Sequence, residues 1–237
     1  MILIAFTGPW GSGKTTASQY LQDKHGFKKL SFGKYIREEV DSFGDGFILT
    51  IDKLRGLIYT PAGVFKVDFY DPQSLENYAE IITTINSIKE TYPDFVQNYE
   101  DRGLILVRAT SEIKGILQIW GTNIRRFYFS DEYWLRKAES ELDPRENYVI
   151  DDLRFLNEAI WIKDKGGVIV KIVPFDFPDL GEEIISGRTI DHRSEKELEL
   201  IEADYEIINP YGEVEEFYAE IDKILENIIN KQMDLKT

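Results

Sequence analysis

The sequence contains no cysteine and only two histidines, His25 and His192, among its 237 residues. Disulfide staples and thiolate metal sites are therefore excluded, and each histidine, lacking a second one nearby, reads as a non-metal residue. Long apolar stretches are missing as well. None approaches the ~20 residues that a membrane-crossing helix needs. The opening run MILIAF is too short for a signal-peptide core, and no basic flank precedes it. Positive charge is scarce: lysine and arginine number 28 against 43 acidic residues, a formal net charge of −15. Binders of polymeric nucleic acid take most of their affinity from a basic face, and anionic membrane surfaces ask for the same. Neither partner is expected. A small anionic ligand stays compatible, since a few placed cations override the mean field locally. The absence of cysteine suits a reducing compartment, so a cytoplasmic location is expected, the host cytoplasm if the source is viral. The length supports one sizeable core with an inserted subdomain.

What the chain does have is GPWGSGKT at residues 8–15, directly after the apolar run. Gly8, Gly11 and Gly13 let the backbone curl until successive N–H groups face inward at an anion. The helix that follows, over 15–25, adds its dipole and unpaired donors. Lys14 supplies a point charge for the outer phosphates. Ser12, Thr15 and Thr16 supply hydroxyls, and the Thr15 oxygen suits Mg²⁺, a hard cation. The pattern G-x-x-x-x-G-K-[ST] turns up by chance in roughly one chain per hundred of this length, but here a strand precedes it and a helix follows, which is the context it requires. The implied ligand is a nucleoside triphosphate. A GTPase would also carry Asn-Lys-x-Asp. The Asn-Lys at 230–231 runs on into Gln-Met, which disfavours that class.

Along the rest of the chain, residues 2–6, 27–32, 147–152, 168–173 and 204–209 read as strands. Residues 15–25, 33–40, 111–121, 131–142, 155–167 and 213–229 read as helices. Residues 43–106 carry turn signals (GDGF, YTPAG) and one good helix over 74–92, and read as a helical insertion. Residues 174–194, rich in Pro, Gly, Asp and charge, read as a lid that would exclude water. Alternating strands and helices predict an α/β fold: a three-layer α/β/α P-loop NTPase architecture around a parallel five-stranded sheet. Ligands of such sheets sit beyond the strand carboxyl ends, where both the glycine loop and Asp151-Asp152 fall.

Three further segments, QIWGTNIRRFYFSDEYWLRK (118–137), YVIDDLRFLNEA (148–159) and DHRSEKELELIEADYEIIN (191–209), follow the loop in an order that resembles the bacteriophage-type deoxynucleoside monophosphate kinases. The resemblance covers about two-thirds of the chain and is weak over 43–106. It implies one P-loop kinase domain: a core of 1–42 and 107–237, an acceptor-binding insertion at 43–106, and the lid. It implies transfer of the γ-phosphate of ATP, with Mg²⁺, to a deoxynucleoside monophosphate; a homodimer is compatible with it. Gly8, Gly11, Ser12, Gly13, Lys14, Thr15 and Thr16 would hold ATP, and Thr15 and Asp151 the metal. Lys14, Arg126, Arg154, Arg188 and Arg193 would act on the moving phosphoryl group. Arg37, Arg55, Gln118, Gly121, Thr122, Arg125, Trp134 and Asp152 would bind the acceptor. The residues themselves agree in kind, because phosphoryl transfer needs placed cations and little covalent chemistry. Competing readings exist for several of them. Trp134 fits a packed helix stripe as well as a base platform, Arg125 and Arg126 suit a helix end, and Arg188 and Arg193 suit solvated charge. The chain departs from the well-known phage enzymes at Trp10 and Gly11, where those carry basic residues. Other readings of the whole are a kinase resembling dephospho-coenzyme A kinase and a slow ATP-hydrolysing binding protein.

Overall fold

Five mostly apolar residues in a row do not suit a sheet with one wet face, and Leu3–Thr7 forms strand β1 with every residue buried. The structure, a computed structural model, describes residues 1–9, 11–174, 193–210 and 213–234. These fall into two compact units: residues 1–32, 135–174 and 193–234 form the first, and Gly33–Trp134 the second.

Strand β1 is followed by α1 (Lys14–His25), β2 (Lys28–Leu30) and α2 (Phe32–Asp41), which leads into the second unit. There the chain forms β3 (Phe47–Asp52), β4 (Leu57–Thr60), β5 (Gly63–Lys66), α3 (Pro72–Thr91), β6 (Val96–Tyr99) and β7 (Leu104–Arg108). Helix α4 (Lys114–Gln118) runs into a π-helix over Ile119–Arg126, and α5 is Tyr133–Glu141. The first unit then resumes with β8 (Tyr148–Ile150), α6 (Leu156–Asp164), β9 (Val168–Pro174), α7 (Arg193–Leu198), β10 (Tyr205–Asn209) and α8 (Val214–Asp234).

The first unit's sheet has five strands in the order β10-β9-β1-β8-β2, every pairing parallel. Ile4, Phe6, Val149, Val170, Ile172 and Ile207 share one face and pack with Ala17 and Leu21 of α1 and with Phe217, Ile221, Ile224, Leu225 and Ile228 of α8. Side chains of the other parity, among them Leu3, Ala5, Ile150 and Ile169, are equally buried, so both faces are covered. This is the α/β sheet the strand–helix alternation predicts. Helix α1 ends at Gly26, which takes the left-handed conformation at φ 69°, a common helix stop.

The second unit holds more than the one helix expected of the insertion. It holds an antiparallel sheet of five strands in the order β5-β4-β3-β7-β6. The expected helix is there: Asp71 caps α3 by accepting from the Ser74 N–H at 2.8 Å, and Ile81, Ile85 and Ile88 are buried. The strands escaped because they are four to six residues long and alternate apolar positions such as Ile51 and Ile58 with Thr50, Asp52, Tyr59 and Thr60. The turn signals were real; TPAG closes the β4–β5 hairpin, with Thr60 opposite Gly63. The expected helix over 111–121 is likewise shorter as an α-helix and continues as the wider π form. The expected lid, apart from residues 174, 193 and 194, lies outside the described residues.

One polar clamp joins α1 to α8. Tyr20 and Tyr218 stack at 3.9 Å. Asp222 accepts from the Tyr20 hydroxyl and from Lys24 at 2.8 Å each, and His25 lies 2.8 Å from its other oxygen. Partial burial raises the Asp222 pKa, but hydrogen bonds from Lys24, Tyr20 and His25 outweigh it and hold the carboxyl below its usual range. A depressed carboxylate pKa stabilises the fold at neutral pH, and that contribution is lost as pH falls through the folded-state value. Asp222→Asn is expected to lower Tm by a few degrees at pH 7. The gap to wild type should close below about pH 4; a gap independent of pH would contradict the assignment.

Candidate functional site

The loop after β1 is built on glycine geometry. A Cβ on Gly8, where φ is 139°, would lie 2.3 Å from the carbonyl oxygen of Ile172 on β9. No other residue fits that approach. Gly13 closes the loop at φ 103° and caps α1. Ser12 is fully buried, and the Lys14 ammonium folds over the loop, donating to the carbonyls of Gly8 at 2.8 Å and Pro9 at 2.6 Å. Lys14 also reaches the Ser12 hydroxyl at 3.4 Å. Thr15 and Thr16 are exposed on the first turn of α1, a turn without acidic residues, so nothing there offsets the positive helix end. Trp10 lies outside the described residues.

Asp151 and Asp152 follow β8, as expected, but each already has work. Asp151 is nearly buried and takes an ion pair from Lys29 at 2.6 Å. Lys29 was not singled out from the sequence; only the parallel β2–β8 register, with Lys29 beside Val149, reveals it. Asp152 accepts from the Ser31 hydroxyl at 2.8 Å and the Phe32 N–H at 3.3 Å, where the chain enters α2. Mg²⁺ binds proteins through one or two oxygens plus substrate phosphates and water. The Thr15 hydroxyl and the Asp151 carboxylate fit that modest donor set, and among the described residues no cluster of three or more acidic or histidine side chains offers another.

Arg154 is half-buried in the first unit. Burial pulls its guanidinium below the usual arginine range, while Asp152 and Glu158 push back. Glu158 is buried and accepts from the Arg154 and Phe155 backbone N–H groups at 3.0 and 3.1 Å. Arg193 pairs with Glu197 and lies over the Phe155 ring at 5.7 Å. Arg188 lies outside the described residues.

In the second unit, of the two readings open for Trp134 the geometry favours packing: it is fully buried and its indole N–H donates to the Gly121 carbonyl at 2.9 Å. Arg126, expected to act on the moving phosphoryl group, is 4% exposed and donates to the Asp131 carbonyl at 2.7 Å. A charge so enclosed is costly to bury unless its donors are met by internal acceptors. Arg125 is boxed between Trp120, Phe129 and Tyr133, with its centre 4.7–4.9 Å from each ring, and pairs with Glu39. Gly121 and Thr122 are buried in the π-helix, a rare form that is frequent at functional sites, and Gln118 ends α4 half-buried. Arg37 is exposed on α2. Arg55 is exposed and lines an open groove of about 600 Å³ with Thr50, Asp52, Tyr59 and Arg102.

Comparison with known proteins gives three findings. No protein-family model matches the chain. Over 230 residues it is 27% identical to the "Putative deoxynucleotide monophosphate kinase" of Acanthamoeba polyphaga mimivirus, covering 96% of this chain and 97% of that one. A dephospho-CoA kinase from Campylobacter jejuni aligns over 95% of this chain and 96% of its own, at 13% identity and a TM-score of 0.39. The glycine loop and the near end-to-end relative place the chain among the kinases, which are phosphotransferases.

Burial of Trp134 yields a prediction. Trp134→Ala should cost about 3–5 kcal/mol of stability, as core truncations of large aromatics do. Urea unfolding checks it; a folded, equally stable variant with weakened acceptor binding would restore the base-platform role.

Proposed function

We propose that the chain is a deoxynucleoside monophosphate kinase, moving the γ-phosphate of ATP to the 5′-phosphate of a deoxynucleoside monophosphate and releasing ADP. The observation that carries this is the similarity, along nearly the whole of both chains, to a relative bearing that name. The order of the matching segments favours the phage-type branch of that class. Residues 8–15 grip the donor as a P-loop. The backbone N–H groups and the start of α1 face the triphosphate, and Lys14 swings from the loop carbonyls to the outer phosphates. Such a swap exchanges one set of oxygen acceptors for a more strongly charged set. Thr15 and Asp151 would hold Mg²⁺ through their side-chain oxygens, and the ion would supply charge shielding for the phosphates. Lys29 holds the Asp151 carboxylate in place. Arg154 is held ready in a partly desolvated setting, where a cation acts more strongly on developing charge. The second unit, with Arg55, Gly121, Thr122 and Arg125, is assigned to the acceptor. Polymeric nucleic acid and membranes are not partners in this reading.

The test is an ADP-release assay with ATP and Mg²⁺ against the four common deoxynucleoside monophosphates, their ribonucleotides and dephospho-coenzyme A. Release that depends on a deoxynucleotide is expected. Turnover with dephospho-coenzyme A alone, or hydrolysis indifferent to acceptor, would overturn the proposal. In the same assay Lys14→Ala should lose about 100-fold or more in kcat while keeping its fold, and Arg154→Ala should fall at least ~10-fold. Unchanged kinetics in either variant would return that residue to a structural role.

A further inference from the structure

We infer that Asn209, at the far end of the chain from the glycine loop, is the positioning residue that aims the loop's Gly13 N–H at the donor phosphates. The inference rests on the reading of residues 8–15 as the ATP grip. Asn209 is the last residue of β10, the edge strand that pairs with β9. Its side-chain Nδ2 donates to the carbonyl oxygen of Ser12 at 2.9 Å, across 197 residues of sequence.

The consequence follows from peptide geometry. The carbonyl of Ser12 and the N–H of Gly13 belong to one peptide unit, and no cis bond occurs among the described residues. In a trans unit the two groups point in opposite directions. Tying the Ser12 oxygen to Asn209 therefore turns the Gly13 N–H away from β10. No acceptor for that N–H is found among the described residues, and it stands at the N-cap of α1, whose first backbone bond of this turn is the one Ala17 donates to the Gly13 carbonyl at 2.9 Å. An oriented, unspent donor at a helix start is the element an anion recognises. The same amide also fixes the loop's shape, since a Cβ on Gly13 would lie 2.5 Å from Asn209 Nδ2 and 3.5 Å from Phe217. Asparagine suits the position chemically. A carbonyl must be met by a donor, and an aspartate there would set one oxygen against another and bring negative charge beside a phosphate site.

Asn209→Ala removes the donor without adding charge, and Asn209→Asp keeps size and shape while replacing the donor by a charged acceptor, so the two are read together. Titration calorimetry with ATP and Mg²⁺, without acceptor, reads donor affinity; steady-state kinetics reads the acceptor KM; thermal melting reads the fold. Asn209→Ala and Asn209→Asp are expected to weaken ATP about 10-fold, the aspartate more than the alanine. Acceptor KM and Tm should stay close to wild type. An Asn209→Asp variant that binds ATP as tightly as wild type would overturn the inference, as would loss of ATP affinity matched by an equal loss of acceptor affinity and of Tm. Wild-type protein that does not bind ATP at all would instead sink the donor-loop reading, and with it this inference, so the two failures are separable.

Discussion

The Cα of Gly8 sits so near the Ile172 carbonyl that a Cβ would lie 2.3 Å from its oxygen. That single close approach sets where the chain turns after β1, and much else depends on the turn. Strand β1 is central in its sheet, so the loop emerges at the carboxyl edge with β9 and β8 on its two sides. Gly13 then hands the chain to α1, whose buried Ala17 and Leu21 lock the helix axis onto the sheet. The loop is thus held by its neighbours together with its own Lys14, whose ammonium bonds the Gly8 and Pro9 carbonyls. Asn209 completes the arrangement from β10, the strand on the far side of β9 from the loop.

Charge placement in this acidic protein is local. The formal charge is −15, yet the strand ends of the first unit collect Lys14, Lys29 and Arg154. Each is held in a defined way: Lys14 by loop carbonyls, Lys29 by Asp151, Arg154 by partial burial beside Asp152 and Glu158. In the second unit the arginines divide by role. Arg126 is consumed by the interior, Arg125 is fixed by three rings and a carboxylate, and Arg55 stays exposed. Arginine number in a sequence therefore says little about how many guanidiniums a substrate can meet.

The first unit was legible because its signals are strong and local. ILIAF and VIVKIV are too apolar for anything but buried strands, Gly26 stops a helix, and the glycine loop carries its own geometry. The second unit was legible only in part. Its strands alternate with polar residues over short spans, and Thr50, Asp52 and Tyr59 look like loop residues until β3 and β4 are paired. Trp134 illustrates a different limit. Its helical stripe was compatible with both core and site, and only the buried bond to Gly121 decides. Lys29 and Asn209 were invisible for a third reason: each acts on a residue more than a hundred positions away, and the strand order that brings them there is not written in any local pattern.

The central claim is that the loop after β1 holds a nucleoside triphosphate whose terminal phosphoryl group moves to a second small molecule. Phosphorus NMR of ATP, Mg²⁺ and a deoxynucleoside monophosphate with the enzyme observes that transfer directly. The account predicts that the γ-phosphate resonance falls while the resonances of a deoxynucleoside diphosphate rise in equal amount. Inorganic phosphate growing in their place, or a spectrum that does not change, would contradict it.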